Sequence, residues 1–309
     1  MLFLDGVGLG KDDPAVNPFC LARLPTLCYL LNGDPPLLRT RDFSSRTTTM
    51  IPLDANLGVE GLPQSGTGQT ALFTGVNGAR VIGKHFGPYP YSTLKATIDE
   101  RNIFRRLREA GKTSLFANAF PQRFFDYMNL RRSRLTVTTL ACTMTGIPLM
   151  KHRDLQEERG ISADITNAGW CEMGYEDIPV ISPEEAGRRL ARLSSQHDFV
   201  LFEYWMTDHA GHSENFSRAV DVLERFDGML SGVLDELDPK NTVLFLTSDH
   251  GNIEDMSTKS HTRNPVPALL YGHGHDAVAA KLRSGSAGGA DLTHVTPTLM
   301  HFLTNGGPD

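Results

Sequence analysis

Apolar residues in this chain gather into short runs that end on a small or acidic residue, and helix-period segments lie between several of them. The runs are "MLFLDG" at 1–6, "TSLFANAF" at 113–120, "DFVLFEYWMTD" at 198–208, "NTVLFLTSDHG" at 241–251 and "NPVPALLYG" at 264–272. That alternation predicts an α/β protein: a three-layer sandwich whose central sheet is mostly parallel and covered on both faces. Three helices follow from the 3.6-residue period. "RNIFRRLREAG" (101–111) puts Ile103, Phe104 and Leu107 on one face and ends on Gly111. "SPEEAGRRLARL" opens with Ser182 as N-cap, Pro183 at N1 and Glu185 closing a capping box. The stretch 213–237 carries Phe216, Val220, Leu223, Leu230, Val233, Leu234 and Leu237 near one stripe.

Two regions break the alternation. Residues 11–60, rich in Pro, Thr, Arg and Leu, predict a long excursion of short elements, and residues 121–180 lack a clean period. In an open α/β sheet such insertions tend to lie over the strand ends where ligands bind, so 121–180 reads as a cap or lid within a single domain spanning 1–309. A Gly/Ser-rich loop, "RSGSAGGAD", occupies 283–291.

Composition narrows the field more than it directs it. With 40% apolar and 21% charged residues the chain is ordinary for a globular protein, and it contains no apolar run of bilayer length. A net charge of −6 with both signs scattered lacks the footprint of a nucleic-acid binder, and "RRLR" (105–108) and "RRSR" (131–134) read as solvated faces. Only three apolar residues separate Met1 from Asp5, too few for a signal-peptide core, so the expected location is the cytoplasm. The same short lead-in leaves room for a start site further upstream. Cys20, Cys28, Cys142 and Cys171 show no C-x-x-C spacing and read as reduced thiols.

Candidate chemistry sits where the apolar runs stop. Asp5, Asp208 and Asp249 each follow such a run, and three carboxylates at one sheet edge repel one another unless a cation holds them. Histidines accompany them: His212 four residues after Asp208 in "TDHAGH", His250 directly after Asp249, and His261 in "SHTRNPVP". Oxygen and imidazole donors together suit Zn²⁺ or Mn²⁺ better than Ca²⁺ or Mg²⁺, and their number fits two ions. A second signal is "GLPQSGTGQTALFTGVNGAR" (61–80), where Gly66 and Gly68 lead into "QTALFTG". A helix beginning there puts Thr70 in its first turn, where free N–H groups favour an anion, and beside two metals Thr70 becomes a candidate nucleophile. Lys84 and His85 in "VIGKHFGPYP" are candidate contacts for a substrate phosphate.

Taken in order, "LFLDGVG", "GTGQTALFTG", "TDHAGHS", "TSDHGN" and "SHTRNPVP" resemble the alkaline phosphatase superfamily, in particular its branch with cofactor-independent phosphoglycerate mutases, phosphopentomutases and type I phosphodiesterases. The resemblance leaves 11–60 and 121–180 uncovered. It implies one divalent metal, Zn²⁺ or Mn²⁺, on Asp5, Thr70, Asp249 and His250, and a second on Asp208, His212 and His261. It also implies a phosphothreonine intermediate at Thr70. Mutases of that branch carry a long inserted domain and a Ser-Glu-Val-Gly-His run at the nucleophile, where this chain is read as "TALFT". Hydrolysis of a small-molecule phosphomonoester or phosphodiester is therefore the expected reaction, with a phosphomutase, or a non-catalytic protein stabilised by its metals, as alternatives.

Overall fold

The structure is a computed structural model, and it describes residues 1–213, 215–285 and 289–305. Part of the Gly/Ser-rich loop at 283–291 lies outside the described residues. In chain order the strands are β1 (Leu2–Leu4), β2 (Phe43–Ser44), β3 (Thr48–Leu53), β4 (Ser114–Phe116), β5 (Asn118–Ala119), β6 (Ile161–Ser162), β7 (Phe199–Tyr204), β8 (Val243–Thr247) and β9 (Val266–Gly272). Seven of them form one sheet in the order β2-β3-β9-β8-β1-β7-β4, while β5 and β6 pair separately. β1 runs parallel to both β7 and β8, and β4 runs parallel to β7. The other three ladders, β8–β9, β9–β3 and β3–β2, are antiparallel. The sheet is thus mixed, with its parallel half centred on β1.

Side-chain alternation within the strands sorts the core into two layers. Leu2, Leu4, Phe202, Tyr204, Leu244 and Leu246 face one way, into a cluster with residues of the helices Pro183–Ser194 and Phe216–Glu236. Phe3, Leu201 and Phe245 face the other way, into a cluster with the helices Ser65–Thr74, Ile103–Glu109 and Val295–Thr304. This is the three-layer sandwich the pattern predicts. Each fully buried Leu or Phe contributes roughly 1.5–3 kcal/mol of burial free energy, so both layers anchor the sheet. The helix from 183 starts as its sequence dictates: Ser182 Oγ accepts the Glu185 N–H at 3.2 Å. Glu185 does not complete the box, because its carboxylate bonds Arg188, Arg189 and Arg192 instead.

The two irregular regions behave differently from one another. Within 11–60, β2 and β3 extend the sheet beside β9, short helices such as Pro25–Leu30 pack against the first layer, and Ala55 and Leu57 join the second. Within 121–180, the helix Val137–Thr145 sends Val137, Ala141 and Cys142 into the second core layer. The rest is short helices and β6, which pairs with β5 just ahead of the region.

Candidate metal centre

Because β7, β1 and β8 run side by side in one direction, their carboxyl ends open at the same edge, and the residues that follow them must meet there. Asp5 follows β1, its N–H continuing the ladder to Tyr204 O at 3.2 Å. β7 gives way to the helix Met206–His212, which places Asp208 in its first turn and His212 in its last. β8 is followed by Ser248, Asp249 and His250.

These residues form two trios. In each of Asp5–Asp249–His250 and Asp208–His212–His261, one ligand atom per residue lies within 4.8 Å of the others. His250 Nε2 stands 3.3 Å from Asp5 Oδ1 and 3.6 Å from Asp249 Oδ2. Asp208 reaches His212 Nε2 at 3.4 Å and His261 Nε2 at 3.6 Å. The rings of His250 and His261 stack with centroids 3.8 Å apart, which puts the trios next to each other.

Details of the hydrogen bonding fit cations at both places. His212 Nδ1 lies 2.7 Å from Lys259 O, and His261 Nδ1 lies 2.7 Å from Pro63 O. A carbonyl can only accept, so each Nδ1 carries a proton, and a ring that is neutral presents its lone pair at Nε2. Those two Nε2 atoms face each other at 3.1 Å, an arrangement a shared cation makes favourable. In the other trio, Asp5 Oδ1 and Asp249 Oδ2 are buried without a hydrogen-bond donor. Orphaned carboxylate oxygens are costly in protein and natural as metal ligands.

Electrostatics tells the same story for the protein without its cations. Burial, then Asp249, pushes the Asp5 carboxyl well above the usual range, and burial likewise raises Asp249. Burial opposes charge on His250, but Asp249 and Asp5 outweigh it and raise the imidazole to about 10. Burial also opposes charge on Asp208, yet His212 and its neighbours hold that carboxyl below its ordinary range. Burial and the charged His250 lower His261 to about 4, while the bond to Asp208 raises His212.

Thr70 is where the structure departs from the sequence-based expectation. The helix begins at Ser65, not at Gln69, so Thr70 lies within it and not at its head. Thr70 Oγ1 donates to Gly66 O at 2.6 Å, its Cβ faces Gly78, and it makes no hydrogen bond to any of the six ligands among the described residues. Ser65 occupies the position expected of Thr70: its Oγ is 3.0 Å from His250 Nε2. Five residues of α-helix separate the two by roughly 140° around the axis and about 7.5 Å along it, so one helix cannot present both to the same ions. The early start is possible because Gly66 and Gly68 pack against backbone. A Cβ on Gly66 would lie 2.3 Å from Tyr89 O, and one on Gly68 would lie 2.7 Å from Asp249 O.

Other residues sort as follows. Gln69 shares the helix face of Ser65 and points its Nε2 at Asp5 Oδ2, 3.4 Å away. Lys84 sits over the rings of Phe86 and Tyr91, and His85 Nε2 is 3.1 Å from Asn56 O. Both border a hollow of about 470 Å³ with Gln64, and neither bonds a metal-ligand candidate among the described residues. Two residues that the motif reading passed over tie the site together. Asn252 Nδ2 donates to Asp208 Oδ1 at 2.6 Å. Glu254 is buried and accepts from the N–H of Gly8 and of Asn252, both at 2.8 Å, from Thr262 Oγ1, and from Asn264 Nδ2 at 3.1 Å. One carboxylate thereby locks the loops that carry Asp5, Asp249–His250 and His261. An acid two residues after "DHGN" was the available signal.

Known proteins resemble this chain in part of its sequence and in its fold. Residues 179–305 match the family described as the Metalloenzyme superfamily, which implies divalent metal ions. The chain is 31% identical over 141 residues to a 2,3-bisphosphoglycerate-independent phosphoglycerate mutase from Chloroflexus aggregans, covering 42% of this chain and 25% of the relative. Against the protein of the same name from Pyrococcus abyssi it is 32% identical over 87 residues, 28% of this chain and 21% of the relative. The chain therefore spans about a quarter of the length of the curated relatives it matches. In structure it is similar to the PH0037 protein from Pyrococcus horikoshii, with a TM-score of 0.55 and 14% identity over 100% of this chain and 97% of that one. It is also similar to Thermus thermophilus alkaline phosphatase (TM-score 0.50, 12% identity, 98% and 90% covered) and to the lipoteichoic acid synthase LtaP from Listeria monocytogenes (0.51, 11%, 99% and 72%). At these identities the structural likeness is one of fold. The resemblance to the alkaline phosphatase superfamily read from the motifs is borne out, in the fold and in the metalloenzyme match over 179–305.

Proposed function

We propose that this protein is a two-metal phosphoryl-transfer enzyme that hydrolyses a small phosphomonoester or phosphodiester, with Ser65 as its nucleophile. The observation that carries the proposal is Ser65 Oγ at 3.0 Å from His250 Nε2, at the head of a ten-residue helix and beside the Asp5–Asp249–His250 trio. One Zn²⁺ or Mn²⁺ is assigned to Asp5, Asp249 and His250, joined by Ser65 Oγ, and a second to Asp208, His212 and His261. Bound there, such cations would lower the pKa of the serine hydroxyl and offset charge on the phosphoryl oxygens.

The protein's own groups supply the remainder. The head of the Ser65 helix, with N–H groups lacking intrahelical acceptors, favours the phosphoryl oxygens. As Ser65 Oγ bonds to phosphorus, the bond from phosphorus to the alcohol oxygen breaks and the alcohol departs. Water then cleaves the phosphoserine, restoring Ser65. The cap belongs to this proposal: 121–180, with the strand ends, shapes the space where the alcohol half lies. Four free cysteines agree with a cytoplasmic site of action. A mutase reading is favoured by the names of the curated relatives.

The test is release of the aryl alcohol, together with phosphate from monoesters or a phosphomonoester from diesters, on aryl phosphomonoesters and phosphodiesters with Mn²⁺ or Zn²⁺ added. Metal-dependent release, reduced at least about 10³-fold in Ser65→Ala with metal content unchanged, is expected. Release unaffected by Ser65→Ala would overturn the assignment, and an isomerised product without free phosphate would establish the mutase.

A further inference from the structure

Strand β7 carries a misfit. Its sequence is Phe-Val-Leu-Phe-Glu-Tyr, buried throughout, and Phe199 and Leu201 face the second core layer. The two-residue period puts Glu203 on that same face, where an apolar residue is due. Glu203 is only 5% exposed. Asn118 is occupied with its backbone, Nδ2 donating to Glu203 O at 2.7 Å and Oδ1 accepting the Glu203 N–H at 2.8 Å. Thr138 Oγ1 donates to Oε2 at 2.6 Å. Among the described residues no Lys, Arg or His pairs with this carboxyl, and no hydrogen bond reaches Oε1. Burial, opposed by the Thr138 bond and assisted by Asp249, pushes its pKa up to about 7. An acid buried to 5% exposure whose carboxylate takes its protein hydrogen bond from Thr138 alone among the described residues is costly to a fold, so packing does not account for it.

The space beside Glu203 supplies a reason. Glu203 lines a cavity of about 1090 Å³ that has Asp5 of the metal trio on its wall. Phe120, Phe124, Tyr127 and Trp205 line the same cavity, and Phe120 and Phe124 stack with centroids 4.3 Å apart at 24°. Flat faces of this kind receive another ring by offset or edge contact, and the volume exceeds what a few-carbon alcohol fills.

We propose that this cavity holds the alcohol half of the ester, and that this half is an aromatic ring bearing a hydroxyl or amino group that donates a hydrogen bond to Glu203 Oε1. The inference rests on the phosphoryl-transfer reading, which orients the ester with its phosphate at Asp5 and Ser65. Glu203 is then a specificity residue: an ester whose ring lacks the donor leaves a buried acceptor unmatched and is discriminated against.

Non-hydrolysable phosphonates decide it on the metal-loaded protein by titration calorimetry. The expected result is that at least one of the aminophenyl- or hydroxyphenylphosphonate isomers binds about tenfold or more tightly than phenylphosphonate. In Glu203→Gln that ratio falls below about three, and in Phe124→Ala phenylphosphonate loses its advantage over methylphosphonate. No donor preference in the wild type, or a preference intact in Glu203→Gln, overturns the inference. If Glu203→Gln fails to fold by circular dichroism, the wild-type ratio and Phe124→Ala still decide. Binding with ring preference but no phosphate release from the matching ester would sink hydrolysis and leave this inference standing; release without ring preference would do the reverse.

Discussion

The candidate metal centre and the cavity beside it are built on opposite principles. Five of the six candidate ligands in the centre follow a strand end or sit on a helix turn, and three of the six are fixed again by a second bond: His212 by Lys259 O, His261 by Pro63 O, Asp208 by Asn252. The cavity is walled largely by short pieces, the helix Gln122–Met128, the β5–β6 pair and the helix Ala168–Glu172. Chemistry that tolerates little displacement sits on the over-determined side, and selectivity on the side where a few side chains can change without disturbing the sheet.

The sharpest way to break this contrast is to remove a ligand from each trio. Asp249→Ala and His261→Ala are each expected to lose one metal per chain by elemental analysis and at least about 10³-fold in turnover, whereas Phe124→Ala keeps both metals. Next in size is the carboxylate that joins the loops. Glu254→Gln keeps the volume but turns an acceptor toward four donors into an amide, and should weaken metal binding about 10–100-fold with the ligands themselves intact. An unchanged affinity would show that the loops hold their places without it.

Glu203 gives a smaller, pH-dependent effect confined to the cavity side. Its folded pKa of about 7 lies above the ordinary value of 4.5, so the unfolded chain releases this proton first. Stability is then full below about 4.5 and falls as pH rises toward 7, by about 3 kcal/mol in all. In metal-free protein, Glu203→Gln should therefore raise the unfolding free energy at pH 8 and change it little at pH 4.5, measured by urea denaturation. Equal effects at both pH values would contradict the buried, unpaired carboxyl. The smallest change expected is at Thr70. Thr70→Val removes one hydrogen bond to Gly66 O, costs about 0.5–1.5 kcal/mol in the same measurement, and leaves metal content unaltered.

The same contrast explains what could be read from the chain itself. Asp5, Asp208 and Asp249 were legible because an acid directly after a buried apolar run needs a reason, and the histidines beside them offered one. The parallel sheet then turns three sequence-distant run ends into one edge. Ser65 was not legible in this way. Gly66 and Gly68 read as loop residues on propensity, whereas here they let a helix approach the backbone at Tyr89 and Asp249, which moves the helix start four residues earlier. Glu203 was visible in principle, as a charge inside "FVLFEY", but its meaning depends on Thr138, 65 positions away, and on a cavity assembled from several segments of the chain. Within 121–180 the helix Val137–Thr145 turns an apolar face to the second core layer, whereas Met150, Leu155, Ile161, Ile165, Trp170 and Ile178 reach the first layer from separate short pieces, which leave no period to read.

The most direct measurement is to locate the phosphoryl group. Metal-loaded protein turning over an aryl phosphomonoester is quenched in acid, and the peptide carrying both Ser65 and Thr70 is fragmented in a mass spectrometer. The account predicts phosphate on Ser65 and none on Thr70. Phosphate on Thr70, or turnover with neither residue ever modified, would contradict it.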